Sequence, residues 1–149
     1  PTGEGWYRFP RHEAVGGEMV EGIARRFGFS RRWAEAVGTA VRLHMRPLQP
    51  PTPRAVRRFQ AEAREHLPLL RAVCYADGEG RREDLEAWFR PQGVPLSPLL
   101  QGRDLLALGL EPGPRIGQLL RRASELQLEL GLGSKDAVLE ALRQEGLIP

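Results

Sequence analysis

Ser30-Arg31-Arg32-Trp33-Ala34-Glu35-Ala36-Val37-Gly38-Thr39-Ala40-Val41-Arg42-Leu43-His44-Met45 is the stretch that decides the fold class. Trp33, Val37, Val41 and Met45 recur at every fourth position, with Ala36 and Ala40 beside them. An α-helix turns once in about 3.6 residues, so this spacing lays apolar side chains along one stripe. Ser30 supplies the side-chain oxygen that satisfies a free N–H in the first turn. Upstream, Val15, Met19, Ile23 and Phe27 repeat the same spacing and predict a helix over Glu13–Phe27 with that stripe buried and Gly28 ending it. Further upstream, Gly3, Gly5 and Pro10 interrupt the aromatics Trp6, Tyr7 and Phe9, as in an irregular leading segment.

Downstream, Pro47, Pro50, Pro51 and Pro53 break the chain. Thr52-Pro53 then opens a helix to about Glu65, with Ala55, Phe59 and Ala63 inward. Short helices are expected over Leu67–Tyr75, Glu83–Phe89 and Arg103–Leu108, with Gly78 and Gly80 loosening the chain after Asp77. Pro91, Gly93, Pro95, Pro98 and Gly102 mark a connection over 91–102. After the turn at Pro112-Gly113-Pro114, a long helix carries Ile116, Leu119, Leu120, Ala123, Leu126 and Leu130 inward, and Ser134 caps a last helix that buries Val138, Leu139 and Leu142. No alternating apolar and polar run of useful length occurs. The expected fold is all-α, with seven or eight helices, no repeat and no low-complexity tract.

Bulk composition narrows the class. A chain of 149 residues with 41% apolar and 28% charged residues has the make-up of an ordinary globular protein. The single cysteine, Cys74, excludes an internal disulfide and a cysteine-rich zinc site, and suits a reducing, cytoplasmic location. No apolar run approaches the roughly 20 residues that a membrane-spanning helix needs. The first residue is Pro1 rather than Met, as in a piece of a longer chain.

The basic residues are twenty-one Arg and one Lys, Lys135. A GC-rich genome or heat adaptation would account for the total. The distribution is uneven, however: residues 25–64 hold ten Arg against Glu35 and Glu62 alone, whereas residues 76–149 are net acidic. Guanidinium forks match phosphate oxygens and stack on bases, so this asymmetry points to an anionic partner such as RNA. The candidates are Arg25, Arg26, Arg31 and Arg32 around one interhelix turn, Arg42 and Arg46 at a helix end, and Arg54, Arg57, Arg58 and Arg64 on the helix after Thr52, expected to stand clear of its apolar stripe. A further candidate is the Pro112–Gly117 turn, where Gly113 and Gly117 let a phosphate approach the backbone and Arg115 stands beside it, with Arg121 and Arg122 near. A solvated helix face and a tight helix connection are the structural alternatives. Trp6 and Trp88 are open candidates for base stacking; Trp33 sits in the core stripe.

Several motifs in order resemble one family. They are His12-Glu13-Ala14-Val15-Gly16, Phe27-Gly28-Phe29-Ser30, Val41-Arg42-Leu43-His44-Met45-Arg46-Pro47, Arg54-Ala55-Val56-Arg57-Arg58-Phe59 and Tyr75-Ala76-Asp77, then Gly102-Arg103-Asp104-Leu105-Leu106-Ala107-Leu108-Gly109-Leu110 and Pro112-Gly113-Pro114-Arg115-Ile116-Gly117. Together they resemble the HD-type helical body and tail in the C-terminal part of bacterial CCA-adding tRNA nucleotidyltransferases and poly(A) polymerases. The resemblance implies a truncated HD-like lobe over 1–90, the connection at 91–102 and a helical tail over 103–149. It also implies tRNA or another structured RNA as partner, and an N-terminal catalytic head using magnesium and ATP or CTP.

Departures from the pattern are equally informative. The head's magnesium-binding Asp-x-Asp pair does not occur, and Glu83-Asp84 lacks the Arg that would complete the base-selecting neck motif, position 87 being Ala. There is no His-Asp dipeptide. By the resemblance, His12, His44 and Asp77 stand at later ligand positions of an HD metal site, where imidazole and carboxylate suit zinc, nickel or manganese. Both histidines also read as hydrogen-bonded structural groups, and His66 has no counterpart. The expectation is an RNA-gripping part of a nucleotidyltransferase that is inactive alone. The alternatives are an HD phosphohydrolase and a stand-alone helical protein that has lost activity.

Overall fold

The computed structural model describes residues 9–78 and 82–149. Within them the protein is all-helical, with eight α-helices: α1 (His12–Phe27), α2 (Arg31–Leu43), α3 (Pro53–Ala63), α4 (Leu67–Asp77), α5 (Arg82–Phe89), α6 (Gly102–Leu106), α7 (Pro114–Leu130) and α8 (Lys135–Gln144). Two 3₁₀ turns, Arg46–Leu48 and Arg64–His66, flank α3. Trp6 lies outside the described residues. Among those described, no helix is long and apolar enough to cross a membrane.

The chain divides into two compact units. One comprises Pro1–Pro51 with Ala63–Phe89, the other Thr52–Glu62 with Arg90–Pro149. The Pro- and Gly-rich stretch after Phe89 thus begins the second unit, which also takes α3 from the middle of the chain.

In the first unit α1 packs on α2, α2 on α4, and α5 on α4 and the 3₁₀ turn at Arg46–Leu48. Ser30 caps α2 as its sequence predicts, its hydroxyl accepting from the Trp33 N–H at 3.2 Å. The buried face of α1 differs from expectation. Val15, Met19, Ile23 and Phe27 are 53%, 59%, 39% and 63% exposed, while Gly17, Val20 and Ala24 are buried. Glycines explain the rotation. A Cβ on Gly16 would stand 2.8 Å from Val41 Cγ1, and one on Gly17 2.7 Å from Arg42 Cγ. The helices approach where side chains are missing, and the larger apolar residues are left on the other face. On α2 the stripe of Trp33, Val37 and Val41 is half-buried, with Gly38, Ala40 and Leu43 fully buried.

Helix ends shift by small amounts. Arg64 adopts a left-handed conformation (φ 52), which closes α3 at Ala63 rather than near Glu65. Phe59 and Ala63 are buried as expected, joined by Val56 and Gln60. Gln60 Nε2 donates to the Arg90 carbonyl at 2.9 Å.

The core of the second unit joins Leu100, Leu105, Leu119, Ala123, Leu126, Val138, Ala141, Leu142 and Ile148. Leu130, expected inward, is 60% exposed. It is the last residue of α7, directly before the left-handed Gly131 that ends the helix. Gln127 takes the inward place instead and is only 2% exposed. Its amide nitrogen donates to the carbonyls of Pro95 (3.0 Å) and Ser97 (2.8 Å), and its oxygen accepts from the Leu99 N–H at 3.0 Å. One side chain therefore satisfies three backbone groups of a segment that has no helix of its own. Gln127→Leu keeps the volume but removes all three bonds. Pro95 and Ser97 are exposed, so water can replace part of this bonding, and the expected loss is that of about one buried unsatisfied group, roughly 1–3 kcal/mol. Urea denaturation checks it, with a lowered midpoint and an unchanged slope.

Candidate nucleic-acid interface

The arginines gathered by the sequence separate into two kinds once their partners are seen. Those of the second unit are largely engaged within the protein. Arg57 is half-buried, and its Nε donates to the Leu128 carbonyl at 2.7 Å and its Nη2 to the Glu129 carbonyl at 2.9 Å. These are among the last carbonyls of α7, which have no partner inside their own helix. Gly131 makes room for the guanidinium: a Cβ there would lie 3.1 Å from Arg57 Cζ. Arg54 pairs with Glu129 at 2.9 Å. Arg115 donates to the Leu147 carbonyl at 2.9 Å, and Arg122 joins Glu125, Glu129 and Glu145. Hydrogen bonding from Arg122 holds the Glu145 carboxyl below the usual range, and the Lys135 ammonium does the same for Asp104. The α3 face is therefore not the free basic row expected of it; Arg58 is its exposed member without a partner among the described residues. Arg64 is exposed on the 3₁₀ turn that follows α3. At the other turn, Gly113 is exposed and Gly117 half-buried, where expectation had them meeting a phosphate.

The first unit holds the freer cations. Arg25 and Arg26 sit in the last turn of α1, where the helix dipole favours them. Arg31 and Arg32 open α2, whose first turn contains no acidic residue. There the dipole opposes them, so two guanidinium groups stand where a helix favours an anion. Between these pairs runs Phe27-Gly28-Phe29-Ser30. Gly28 is left-handed (φ 69), and the Phe29 N–H reaches back to the Ala24 carbonyl at 2.9 Å. That turn exposes an aromatic row: Phe27 and Phe29 have ring centroids 6.2 Å apart, and Phe29 and Trp33 4.5 Å apart. The Arg26 guanidinium lies 5.6 Å from the Phe27 centroid. Arg42 is exposed and runs from α2 along the crossing with α1; Arg46, in the 3₁₀ turn, is not among the free ones, since it has a partner. Phe27 and Trp33, expected along the apolar stripes of α1 and α2, belong to this row, and Phe29 joins them. The available signal was two aromatics about one glycine, bracketed on each side by paired arginines.

Trp88 is buried, 3% exposed, and its indole N–H donates to the Gln49 carbonyl at 3.0 Å, which removes it as a stacking surface. Cys74 is buried too. Burial first, then the nearby Asp77 carboxylate, pushes its thiol up to about 11, which keeps it in the protonated form at neutral pH.

His12 and His44 are brought together, edge to face with ring centroids 5.5 Å apart. Each donates from Nδ1 to a carbonyl, His12 to Phe9 at 2.9 Å and His44 to Val41 at 2.7 Å. Asp77 is exposed at the end of α4, and no cluster of three or more His, Cys, Asp or Glu suited to a metal occurs among the described residues. Two imidazoles are fewer than the three protein ligands of a catalytic zinc site.

The chain is 33% identical over 142 residues to a CC-adding tRNA nucleotidyltransferase of Thermus thermophilus, covering 89% of this chain and 32% of that protein. It is 32% identical over 134 residues to an A-adding tRNA nucleotidyltransferase of Deinococcus radiodurans, covering 78% of this chain and 31% of that protein. The chain is homologous to a segment of the tRNA nucleotidyltransferases. It spans about a third of the length of these curated relatives. No protein-family model and no solved structure matches.

The two kinds of arginine differ in what their loss does. Arg57→Ala removes charge-assisted bonds to two end carbonyls and should destabilise the protein by about 1.5–3 kcal/mol. Arg58→Ala, on the same helix, should change stability by no more than about 0.5 kcal/mol. Thermal and urea unfolding of both variants measures the contrast, and equal effects would show that Arg57 does not cap α7.

Proposed function

We propose that this chain is the RNA-gripping C-terminal helical region of a tRNA nucleotidyltransferase. The observation that carries the reading is the similarity over nearly the whole chain to two tRNA nucleotidyltransferases, joined to a surface whose free cations cluster at the α1–α2 turn. Arginines meeting an RNA backbone read its shape and charge more than its sequence. The similarity to a CC-adding and to an A-adding relative is almost equal, so which nucleotide is added is left to other parts of the longer protein. Magnesium ions on an Asp-x-Asp pair, with ATP or CTP, would supply the transfer chemistry in a head domain; this sequence contains no such pair. The lone cysteine accords with work in the cytoplasm. The phosphohydrolase alternative has no donor set among the described residues to support it.

Two outcomes test the reading. The 149-residue chain, incubated with tRNA, labelled ATP or CTP and magnesium, should give no 3′ extension above a mock preparation. It should bind tRNA with an affinity that falls steeply with salt, by roughly 0.7–0.9 log units per phosphate contact for each log unit of salt. Arg31→Ala with Arg32→Ala should weaken binding several-fold and flatten the slope by about one to two contacts, without lowering the melting temperature, because both charges oppose the α2 dipole. Filter binding across a salt series with circular dichroism reads all three quantities. Unchanged affinity and slope in the double variant would remove the α1–α2 turn from the interface.

A further inference from the structure

We propose that the cleft between the end of α1 and the start of α2 seats one unpaired ribonucleotide, its phosphate on Arg25, Arg31 and Arg42 and its base on Phe29. The inference deepens the RNA-binding reading and rests on it. The cleft has a volume of about 550 Å³ and is lined by these four residues together with Glu21, Glu35 and two alanines. Small-molecule sites commonly run from roughly 300 to 1,000 Å³, which leaves room for a single nucleotide.

Arg42 is placed for the task before any ligand arrives. Its side chain lies between Gly17 of α1 and Gly38 of α2. A Cβ on Gly17 would come 2.7 Å from its Cγ, and one on Gly38 3.0 Å from its Nη1. Two missing side chains thus form a slot for one long side chain and carry its guanidinium to the cleft. A side chain confined in this way loses little further freedom on binding. Among the described residues, Arg25, Arg31 and Arg42 have no ion-pair partner, although Glu21 and Glu35 share the cleft. Three guanidinium groups without an ion-pair partner among the described residues thus line one concavity, a setting that favours a phosphate.

Phe29 supplies the second half. It is 48% exposed and is backed by Trp33, at 4.5 Å between ring centroids. Exposed aromatic rings beside arginines are stacking platforms for bases. A base inside a duplex already stacks on its neighbours and cannot use such a ring, so the occupant is a nucleotide turned out of the helix. The two carboxylates sharpen the choice. They repel a second phosphate, which disfavours a run of backbone, and they accept hydrogen bonds from ribose hydroxyls or base amino groups.

Fluorescence anisotropy on the full chain decides this, with a labelled single-stranded oligoadenylate, an RNA duplex and tRNA as probes. Phe29→Leu should weaken the single strand by roughly 5- to 100-fold, the range expected for loss of one stacked base. It should leave the salt slope and duplex binding unchanged, because stacking releases no counterions. Phe29→Trp should restore binding. Arg42→Gln should weaken the single strand and lower the slope by about one contact. Circular dichroism verifies the fold of each variant. If Phe29→Leu and Arg42→Gln bind the single strand like the parent, the cleft is not a nucleotide site, while the RNA reading stands on tRNA binding. If the parent binds none of the three probes, the RNA reading itself fails. If Phe29→Leu instead changes only the sedimentation of a self-associating chain, the aromatic row is a contact between copies and the proposal is overturned.

Discussion

The close approach of α1 to α2 is the constraint on which the first unit depends. Gly16, Gly17 and Gly38 remove the side chains that would hold these helices apart, and Val41 and Arg42 occupy the space so released. Three consequences share this cause. The buried face of α1 becomes Gly17, Val20 and Ala24 rather than its larger apolar residues. Arg42, though exposed, runs along the crossing beside Gly17. The turn joining the two helices is drawn tight, and its phenylalanines are left outside. Packing and the exposed functional chemistry are therefore one arrangement seen from opposite faces.

The second unit is organised by polar side chains acting on backbone. Gln127 satisfies three groups of the segment over 95–99, and Arg57 satisfies two carbonyls at the end of α7. Apolar burial gathers α6, α7 and α8, but burial has no direction and would tolerate a sliding fit. Hydrogen bonds from a side chain with only 2% exposure do not. This division of labour explains why an arginine-rich helix proves to be, in good part, internal fastening.

The helices themselves were legible in the sequence, because four-residue apolar spacing, Ser30, Ser134 and the glycine stops act locally. Both serines cap as read, Ser134 accepting from the Ala137 N–H at 3.2 Å. The inward faces were read less well. On α1 the periodic stripe was real, but the rival stripe of small residues won, since close helix approach rewards absent side chains rather than hydrophobic ones. The roles of Arg57 and Gln127 are hidden from the sequence for a related reason: their partners lie far away along the chain, and no local pattern reveals a distant carbonyl. The paired arginines about Phe27-Gly28-Phe29 were visible as a cationic cluster. That the rings among them face outward depends on which side of α1 the glycines choose.

The hydrogen bonds from Arg57 reach 71 and 72 residues along the chain. During synthesis at roughly 5–20 residues per second, α3 leaves the ribosome several seconds before the carbonyls it caps exist. Meanwhile the segments on either side of it, which meet in the first unit, can already find each other. The first unit is thus free to close around an insertion whose own partners are still unmade. The partners of α3 are thus made later than the segments that flank it in the chain.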